Sequence, residues 1–218
     1  MQDDSPPDSA DPTDGTINRV VTVAECRQFV EFLGLNRATS ERCSALFMFE
    51  LYCRAIVPQL PGDPAKIIAE VRGLEGLGRL VGTKAAEQFE RPPLQGLWKK
   101  HYFVGGMASM RENIRLGWGR KQHGLLQILR ENYNPTTARL PPQVISRRIA
   151  DAAVTNTYAE RSREQRLTGE WIIFAKYEDE NYYLCLARHD EDGGDILERI
   201  KRGCADEFPF LRFQLRFL

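Results

Sequence analysis

The stretch from residue 170 onward constrains the fold most, because the pattern changes there from helical spacing to that of short strands. Residues 171–174 are continuously apolar, which predicts a strand over 170–177 with both faces covered. A polar segment at 178–181 is typical of a hairpin loop, and residues 182–188 predict the returning strand. The two strands indicate a small antiparallel sheet.

A helix and a further strand are predicted after this hairpin. Asp195 is a typical N-cap residue and Glu198 stands at the reciprocal capping-box position, so a helix is expected to begin there. Residues 211–217 alternate strictly between apolar and polar side chains, which predicts a half-buried strand. The predicted order is therefore strand, strand, helix, strand.

Helical signals dominate before residue 169. Thr22 has Glu25 at capping-box distance, and Asp63 followed by Pro64 is typical of a helix start. Residues 84–103 have no clear period and contain two adjacent prolines, so they are expected to be irregular. The expected helices cover residues 23–33, about 40–57 from a start at Thr39 or Ser40, 64 onward, 107–115, 125–131 and 143–166.

These patterns predict the α+β class, with a helical N-terminal portion followed by a small antiparallel sheet and one packed helix. Residues 1–17 form an acidic, proline-containing tail that is expected to be disordered. Residues 18–168 form the mostly helical region and residues 169–218 the small α+β unit. The sequence leaves open whether the two parts share one core.

Overall charge predicts no partner, because 30 basic and 30 acidic side chains cancel. The distribution is more informative, since residues 84–130 contain nine basic and three acidic side chains. A local positive field of this kind attracts phosphate groups. The alternative is a solvated surface whose acidic counterpart lies elsewhere in the fold.

Membrane, metal and cofactor functions find no support in the sequence. No run of roughly 18 apolar residues exists, so we expect no membrane partner. The five cysteines are odd in number and include no C-x-x-C pair, which favours buried, reduced thiols in a cytoplasmic protein. Potential ligands lack metal-site spacing, so neither a metal nor another cofactor is expected.

No high-specificity catalytic motif occurs, so candidate sites are clusters of residue types. The first is residues 98–102, where Lys99 and Lys100 bring positive charge and His101 can transfer protons. The alternative is an amphipathic strand or helix start with aromatic residues in the core and lysines in water. A cysteine hydrolase is disfavoured, because Cys185 and His189 on one extended strand are roughly 13 Å apart.

A second cluster lies between glycines at residues 117–124. Arg120, Lys121 and His123 supply two cations and an imidazole beside exposed backbone, a combination that can hold a phosphate. The alternative is a charged connection between two helices. The cluster is therefore a candidate RNA-binding element.

Two further candidates follow the predicted hairpin. Arg188 and His189 stand just past a buried strand, where a scaffold holds side chains that solvent reaches. Arg212 and Arg216 share the polar face of the last predicted strand and can contact successive phosphates. The alternatives are a loop histidine without a task and an ordinary solvated strand face.

The layout of the chain resembles that of metal-independent ribonuclease toxins of the RelE, barnase and EndoU type. The resemblance covers residues 170–218 and the basic stretch at 84–125, and it concerns element order and the types of His, Lys, Arg and Tyr residues. It implies catalysis by a general acid and base, with Arg or Lys stabilising the charge at phosphorus. No motif corresponds residue by residue, so no catalytic residue is transferred.

We therefore expect an intracellular protein that engages RNA, with metal-independent endoribonuclease activity of toxin type as the sharper hypothesis. His189 and His101 are the candidate proton-transfer groups, and Lys99, Lys100, Arg188, Arg212 and Arg216 are among the candidate phosphate ligands. The alternative is a non-enzymatic interaction module, such as an immunity, antitoxin-like or adaptor protein. Convergence of at least two of His101, His123 and His189, within about one side-chain length of each other and of an arginine in a cleft, would favour the enzyme, and three scattered histidines would count against it.

Overall fold

The computed structural model describes residues 20–57, 60, 62–78, 82–119, 123–134, 136–164 and 166–215. Within them, one antiparallel sheet has the order β1-β2-β3-β4, and its strands are Glu87–Gln88, Trp98–Tyr102, Glu170–Tyr177 and Glu180–Ala187. The helices are α1 (Val23–Phe32), α2 (Leu35–Thr39), α3 (Ala45–Ile56), α4 (Pro64–Leu74), α5 (Gly106–Trp118), α6 (His123–Asn132), α7 (Pro142–Ala150), α8 (Thr157–Arg163), α9 (Gly193–Cys204) and α10 (Leu211–Gln214). The α+β class is confirmed, and the predicted acidic tail lies outside the described residues.

Strands β3 and β4 confirm the predicted hairpin. The turn residues Glu178 and Asp179 both have positive φ, at 51° and 63°, as a type I′ hairpin turn requires. Strand β3 lies between β2 and β4 in the sheet, and helices cover both of its faces. This central position explains its apolar run, which is fully buried at Ile172, Ile173 and Phe174.

Helices α1 to α4 pack on one face of the sheet. Thr22 caps α1 with reciprocal hydrogen bonds to Glu25, and Asp63 caps α4 with Pro64 in its first turn, so both predicted starts are confirmed. The buried cluster on this face joins these helices to β2, β3 and β4. Its largest members are Leu35, Phe47, Leu51, Ile67, Tyr102, Phe174 and Tyr183.

Helix α3 begins later than the sequence predicted, because the segment before it forms the separate helix α2. Ser44 is the N-cap of α3, and its hydroxyl accepts the N–H of Phe47 at 3.0 Å. The same hydroxyl donates to the carbonyl of Leu184 in β4 at 2.6 Å. The contact with the sheet therefore fixes the residue at which α3 starts.

Helices α9 and α10 cover the opposite face of the sheet. The N-cap of α9 is Asp192 and not Asp195 as predicted, because the Asp192 carboxylate accepts the N–H of Gly194 at 2.7 Å. This hydrogen bond satisfies an otherwise free amide of the first turn, so the helix tolerates two glycines there. Buried side chains of α9 that contact the sheet are Ile196, Ile200 and Cys204.

The predicted strand at residues 211–217 is wrong for its described part, because residues 211–214 form helix α10. Leu211 is fully buried and Leu215 is half-buried, which is the four-residue spacing of a helix face. Phe213 is 84% exposed, although the alternating pattern assigns it to the apolar face. The strand-strand-helix-strand order therefore ends in a helix.

The outer edge of β4 offers no free backbone to a further strand at residues 183–186. The N–H of Tyr183 donates to the carbonyl of Arg42 at 2.8 Å, and the N–H of Ser44 donates back to Tyr183 at 2.9 Å. Further along, the Glu50 carboxylate accepts the N–H of Leu186 at 2.5 Å. Residues 42–50 thus occupy the edge that a C-terminal strand would need.

Helices α5 to α8 form a further helical layer. A π-helical turn, Asp151–Asn156, joins α7 to α8 without a break, which agrees with the long helix predicted at 143–166. The side-chain amide of Asn113 in α5 donates to the carbonyl of Thr168 at 2.9 Å, and its oxygen accepts the Thr168 N–H at 2.8 Å. These two bonds hold α5 at the start of β3.

Residues 84–103 are not irregular throughout, because they contain β1 and the five-residue strand β2. The sequence Trp-Lys-Lys-His-Tyr lacks the apolar–polar alternation of a half-buried strand, because two consecutive lysines place one charge on each face of the sheet. Lys100 faces the α4 side and is buried, with its ammonium 3.2 Å from Glu70 and 2.7 Å from the hydroxyl of Thr83. The ion pair compensates the burial of the lysine.

The described helices include none with the length and apolar character needed to cross a membrane. All five cysteines are free, four of them are buried, and Cys53 is partly exposed. Cys185 is fully buried in β4, and burial raises the pKa of its thiol well above the ordinary value. Its thiol is therefore not an activated nucleophile.

Candidate functional site

Strand β2 sorts the residues of the first candidate cluster onto two faces of the sheet. Lys100 and Tyr102 point toward α4 and the core beneath it. Lys99 and His101 point to the opposite face, because side chains alternate along a strand. The register places His101 directly across from Trp171 of β3.

His101 is a buried, neutral imidazole. It is 3% exposed, and its Nδ1 lies 2.9 Å from the carbonyl oxygen and 3.2 Å from the amide nitrogen of Gly169. The pKa of His101 is lowered to about 4, chiefly by burial; the nearby charges of Lys84, His189 and Lys99 act in the same direction, and the hydrogen bond with Gly169 opposes them. At neutral pH the ring therefore carries no charge.

His189 meets His101 in space, although 88 positions separate them in the sequence. The two ring centroids are 6.0 Å apart with ring planes inclined by 28°, and the His189 ring lies 5.0 Å from Trp171. His189 is exposed whereas His101 is buried. The pair thus consists of an exposed imidazole backed by a buried imidazole and an indole.

The turn that carries His189 is fixed by hydrogen bonds on both sides. The N–H of His189 donates to the Glu170 carboxylate at 2.6 Å, and the N–H of Arg188 donates to Glu191 at 3.1 Å. Glu191 also pairs with Arg199 of α9 at 2.6 Å, and Arg199 pairs with the half-buried Glu50. The scaffold therefore sets the position of the His189 backbone.

Two lysines bring positive charge to the histidine pair. The Lys99 ammonium lies 5.1 Å from the ring centroid of Phe89 and 5.2 Å from that of Trp171, and 3.6 Å from Glu87. Lys84 is half-buried, and its charge lowers the pKa of His101. Both cations are placed to attract an anion that reaches the histidines.

Two carboxylates near His189 have pKa values displaced in opposite directions. The hydrogen-bonded Arg115 guanidinium lowers the pKa of Glu112, and His189 contributes to the same effect. Burial raises the pKa of Glu170 against the hydrogen bond from His189. Sites for acid–base chemistry often hold titratable groups whose environments separate their pKa values in this way.

A cleft of about 910 Å³ opens beside the lysine and the indole, between the loop before β2 and the start of α9. Its walls combine aromatic and charged side chains. The residues most relevant to binding are Phe89, Arg91, Trp98, Lys99, Trp171 and Glu191. The cleft borders the site at Lys99 and Trp171, whereas neither His101 nor His189 is among its lining residues.

The structure brings together only part of the predicted set: His101, His189, Lys99 and Arg188. Arg188 forms an exposed ion pair with Asp190 at 2.7 Å. Lys100 is enclosed by Glu70 and Thr83 on the other face of the sheet, so its charge serves the fold. We therefore leave Lys100 out of the candidate site.

Other predicted RNA-binding residues lie elsewhere or are not described. Arg212 pairs with Asp206 beside α10. Arg120, Lys121 and Arg216 lie outside the described residues, and for His123 the structure describes the backbone at the start of α6. Among described residues, no group of three or more His, Cys, Asp or Glu side chains is arranged to hold a metal ion.

Sequence reasoning missed Lys84, Glu112, Glu170 and Trp171. Trp171 is apolar and was attributed to the core, and its role beside His101 follows from strand register alone. Glu112 belongs to a helix whose packing against the start of β3 has no local sequence signal.

A protein-family scan, a search of curated proteins and a search of solved structures found no match to this chain.

Proposed function

We propose that the protein engages RNA and cleaves it by transesterification, without a metal ion, at the site around His189. The observation that carries the proposal is the approach of the His101 and His189 rings to 6.0 Å. Lys84 and Lys99 stand beside this pair, and Glu112 lies close enough for its charge to interact with His189. Imidazole, carboxylate and ammonium groups suffice for phosphodiester transfer.

In the proposed reaction, the 2′-oxygen of the substrate attacks the adjacent phosphorus and the bond to the 5′-oxygen breaks. Glu112 takes the proton of the 2′-hydroxyl as a carboxylate, the form that the hydrogen-bonded Arg115 guanidinium favours by lowering the pKa of Glu112. Protonated His189 gives its proton to the departing 5′-oxygen. The products are a 2′,3′-cyclic phosphate and a 5′-hydroxyl, and proton exchange with water restores both groups.

His101 acts through His189 in this proposal and is a positioning residue. The neutral ring packs against His189 without opposing a positive charge on it, because burial holds the pKa of His101 at about 4. Lys84 and Lys99 offset the charge that develops on the phosphate oxygens. Acid–base assistance is worth about 10²–10⁴-fold in rate.

The resemblance to metal-independent ribonuclease toxins supports the same reaction class through its residue types, since those enzymes use a general acid and base with basic residues. The element order adds no support, because residues 211–214 form helix α10. The free state of the five cysteines supports a reducing compartment such as the cytoplasm. A toxin of this type would act there on cellular RNA.

Incubation of the purified protein with total RNA in EDTA tests the proposal. We expect cleavage by the unchanged protein, and a rate lower by about 10²–10⁴-fold for His189→Gln and for Glu112→Gln. Lys99→Gln removes one cation near the site, and Arg27→Gln removes one exposed cation from α1 on the opposite side of the sheet. Only Lys99→Gln should slow cleavage.

No cleavage in EDTA by the unchanged protein, under conditions where circular dichroism shows it folded, would refute the proposal. Equal cleavage by His189→Gln would refute the assignment of the site.

The apolar surface of α6 and α7 favours a second candidate function, binding of another protein. Leu126, Leu129 and Tyr133 are 46%, 38% and 62% exposed, and a groove of about 660 Å³ lies between these helices. Arg130 lines the groove and Arg139 lies next to it, so charge complementarity favours an acidic amphipathic helix. Saturable binding of a synthetic amphipathic helix of Glu and Leu, lost in the Tyr133→Glu variant, would support this second function. Equal binding by Tyr133→Glu and the unchanged protein would refute it.

A further inference from the structure

A second groove, of about 1000 Å³, lies between α5 and the π-helical turn at Asp151–Asn156. Its apolar lining is Met110, Ile114, Trp118 and Val154. Val154 is 36% exposed, so solvent reaches the apolar wall. Its size lies at the upper end of the ~300–1,000 Å³ that small-molecule sites occupy. The groove is thus large enough for a nucleotide.

The π-helical turn positions the indole of Trp118. Its Nε1–H donates to the carbonyl of Ala153 at 2.8 Å, within the π-helical turn. Gly117 allows the close packing that this bond needs, because a Cβ there would lie 2.2 Å from the Thr157 methyl group. π-helical turns are rare and often occur at functional sites. The indole is therefore held at the groove by a specific backbone arrangement.

The charges at the groove favour an anion with an apolar or aromatic part. Arg111 and Arg115 are exposed at its border, and Glu112 is the one acidic residue among the described lining residues. Arg115 uses two nitrogens to contact Glu112, at 2.8 Å and 2.6 Å. Arg111 brings a further cation close to the same carboxylate. Such a combination matches a base with its phosphate.

The groove is next to the proposed catalytic site, since Glu112 belongs to both. Glu112 lines the groove, and the next residue, Asn113, donates to the carbonyl of Thr168 at 2.9 Å. The residue after Thr168 is Gly169, whose carbonyl oxygen lies 2.9 Å from Nδ1 of His101. A strand of RNA whose reactive phosphate lies at His189 and Glu112 would bring a neighbouring nucleotide to Arg115 and Arg111. The contact between α5 and the residues before β3 thus joins the groove to the histidine pair.

Resting on the function proposed above, we infer that this groove binds the base of a nucleotide adjacent to the cleaved phosphate. The base packs against Trp118 and Val154, and Arg111 contacts its phosphate. Because a base must be unpaired to enter the groove, the substrate class is single-stranded RNA. Cleavage of duplex RNA should be correspondingly slow.

Binding of a fluorescein-labelled 2′-O-methyl RNA heptamer to the full chain tests the inference, because this strand lacks the reactive hydroxyl. Fluorescence anisotropy would give the dissociation constant. We expect Val154→Glu to raise it at least tenfold, since the new charge stands in the apolar wall. Val23→Glu is the matched control on α1, at a valine that is 52% exposed and remote from the groove. It should leave binding unchanged.

Trp118→Phe provides a second variant that keeps an aromatic ring but loses the bond to Ala153, and it should weaken binding severalfold. Equal affinity of Val154→Glu and the unchanged protein, or an equal loss in Val23→Glu, would overturn the inference. So would failure of the unchanged protein to bind the heptamer. If the heptamer binds as predicted but the protein cleaves no RNA, the groove assignment stands and the proposed catalytic function fails.

Discussion

Replacing Lys100 by Met should unfold the protein far more easily than the loss of a surface lysine would. The Lys100 ammonium lies 3.2 Å from Glu70, 2.7 Å from the Thr83 hydroxyl and 2.6 Å from the Lys84 carbonyl. Glu70 is 2% exposed, so the variant leaves a buried carboxylate without its counter-charge. Loss of one partner of a buried pair costs about 3–5 kcal/mol, against about 0–1 kcal/mol for an exposed pair.

The dependence of this cost on pH identifies its cause. Burial raises the pKa of Glu70 above 4.5, while Thr83 and Lys100 act to lower it. Without Lys100 the pKa of Glu70 rises further in the folded variant, and the unfolded chain keeps its ordinary value. The folded variant then binds a proton more readily than the unfolded chain, so the cost shrinks as the pH falls through the raised pKa.

Urea unfolding of the unchanged protein, Lys100→Met, Glu70→Leu and the double variant, at pH 7.5 and 5, provides the assay. We expect the double variant to recover most of the stability, because an apolar pair of similar size replaces the ion pair. A loss below about 1 kcal/mol for Lys100→Met would refute a buried, structural pair. A loss that is the same at both pH values would refute the unpaired carboxylate as its cause.

Four further predictions concern the scaffold of the site and the remaining fold. Burial lowers the pKa of His101 from 6.5 to about 4, so as the pH falls the unfolded chain binds a proton before the folded protein does. The free energy of unfolding should therefore fall by up to about 3 kcal/mol between pH 6.5 and 4. Urea unfolding should show a shallower fall for His101→Phe. Gly169→Ala should destabilise the protein by about 2 kcal/mol or more, since its Cβ would lie 2.0 Å from the Tyr102 carbonyl; an unchanged melting temperature would contradict this packing. Thr22→Ala should cost about 1 kcal/mol in urea unfolding through loss of the α1 cap, and a cost near zero would contradict the capping box. In thiol titration of the native protein, Cys53 should react first, because it alone among the five cysteines is only partly buried. Cys185 should react only when the protein unfolds, and early labelling of Cys185 would contradict its burial.

Local signals in the sequence predicted much of the fold. The capping residues Thr22 and Asp63 define helix starts by hydrogen bonds within a few residues, and both predictions were correct. The β3–β4 hairpin was likewise predictable, because its apolar run and polar turn are contiguous. Strand β2 was offered only as one alternative, with both lysines in water, because the burial of Lys100 depends on Glu70, 30 positions away in the sequence.

The failure at residues 211–217 has a similar origin. An alternating pattern predicts a strand only if an edge with free backbone groups is within reach, and residues 42–50 occupy the outer edge of β4. The chain buries Leu211 in a helical turn instead. Edge occupancy is a property of the assembled sheet and has no local signature.

The candidate site was predicted in part, because its two histidines, Lys99 and Arg188 were named from the sequence and its remaining members were not. His101 and His189 were each named as proton-transfer groups, but their meeting depends on the pairing of β2 with β3 and on the turn held by Glu170. Lys84 and Glu112 enter the site through packing of the loop before β1 and of α5. Such long-range placement follows from tertiary structure and could not be predicted from the order of residues.

The most direct test of the central claim uses an oligonucleotide that is deoxyribose throughout except for one ribose. With the protein in EDTA, mass spectrometry should find a single cut after the ribose, leaving a 2′,3′-cyclic phosphate and a 5′-hydroxyl. The His189→Gln variant should lose this activity. No cut, cuts at deoxyribose positions, or products that carry a 5′-phosphate would contradict transesterification at His189.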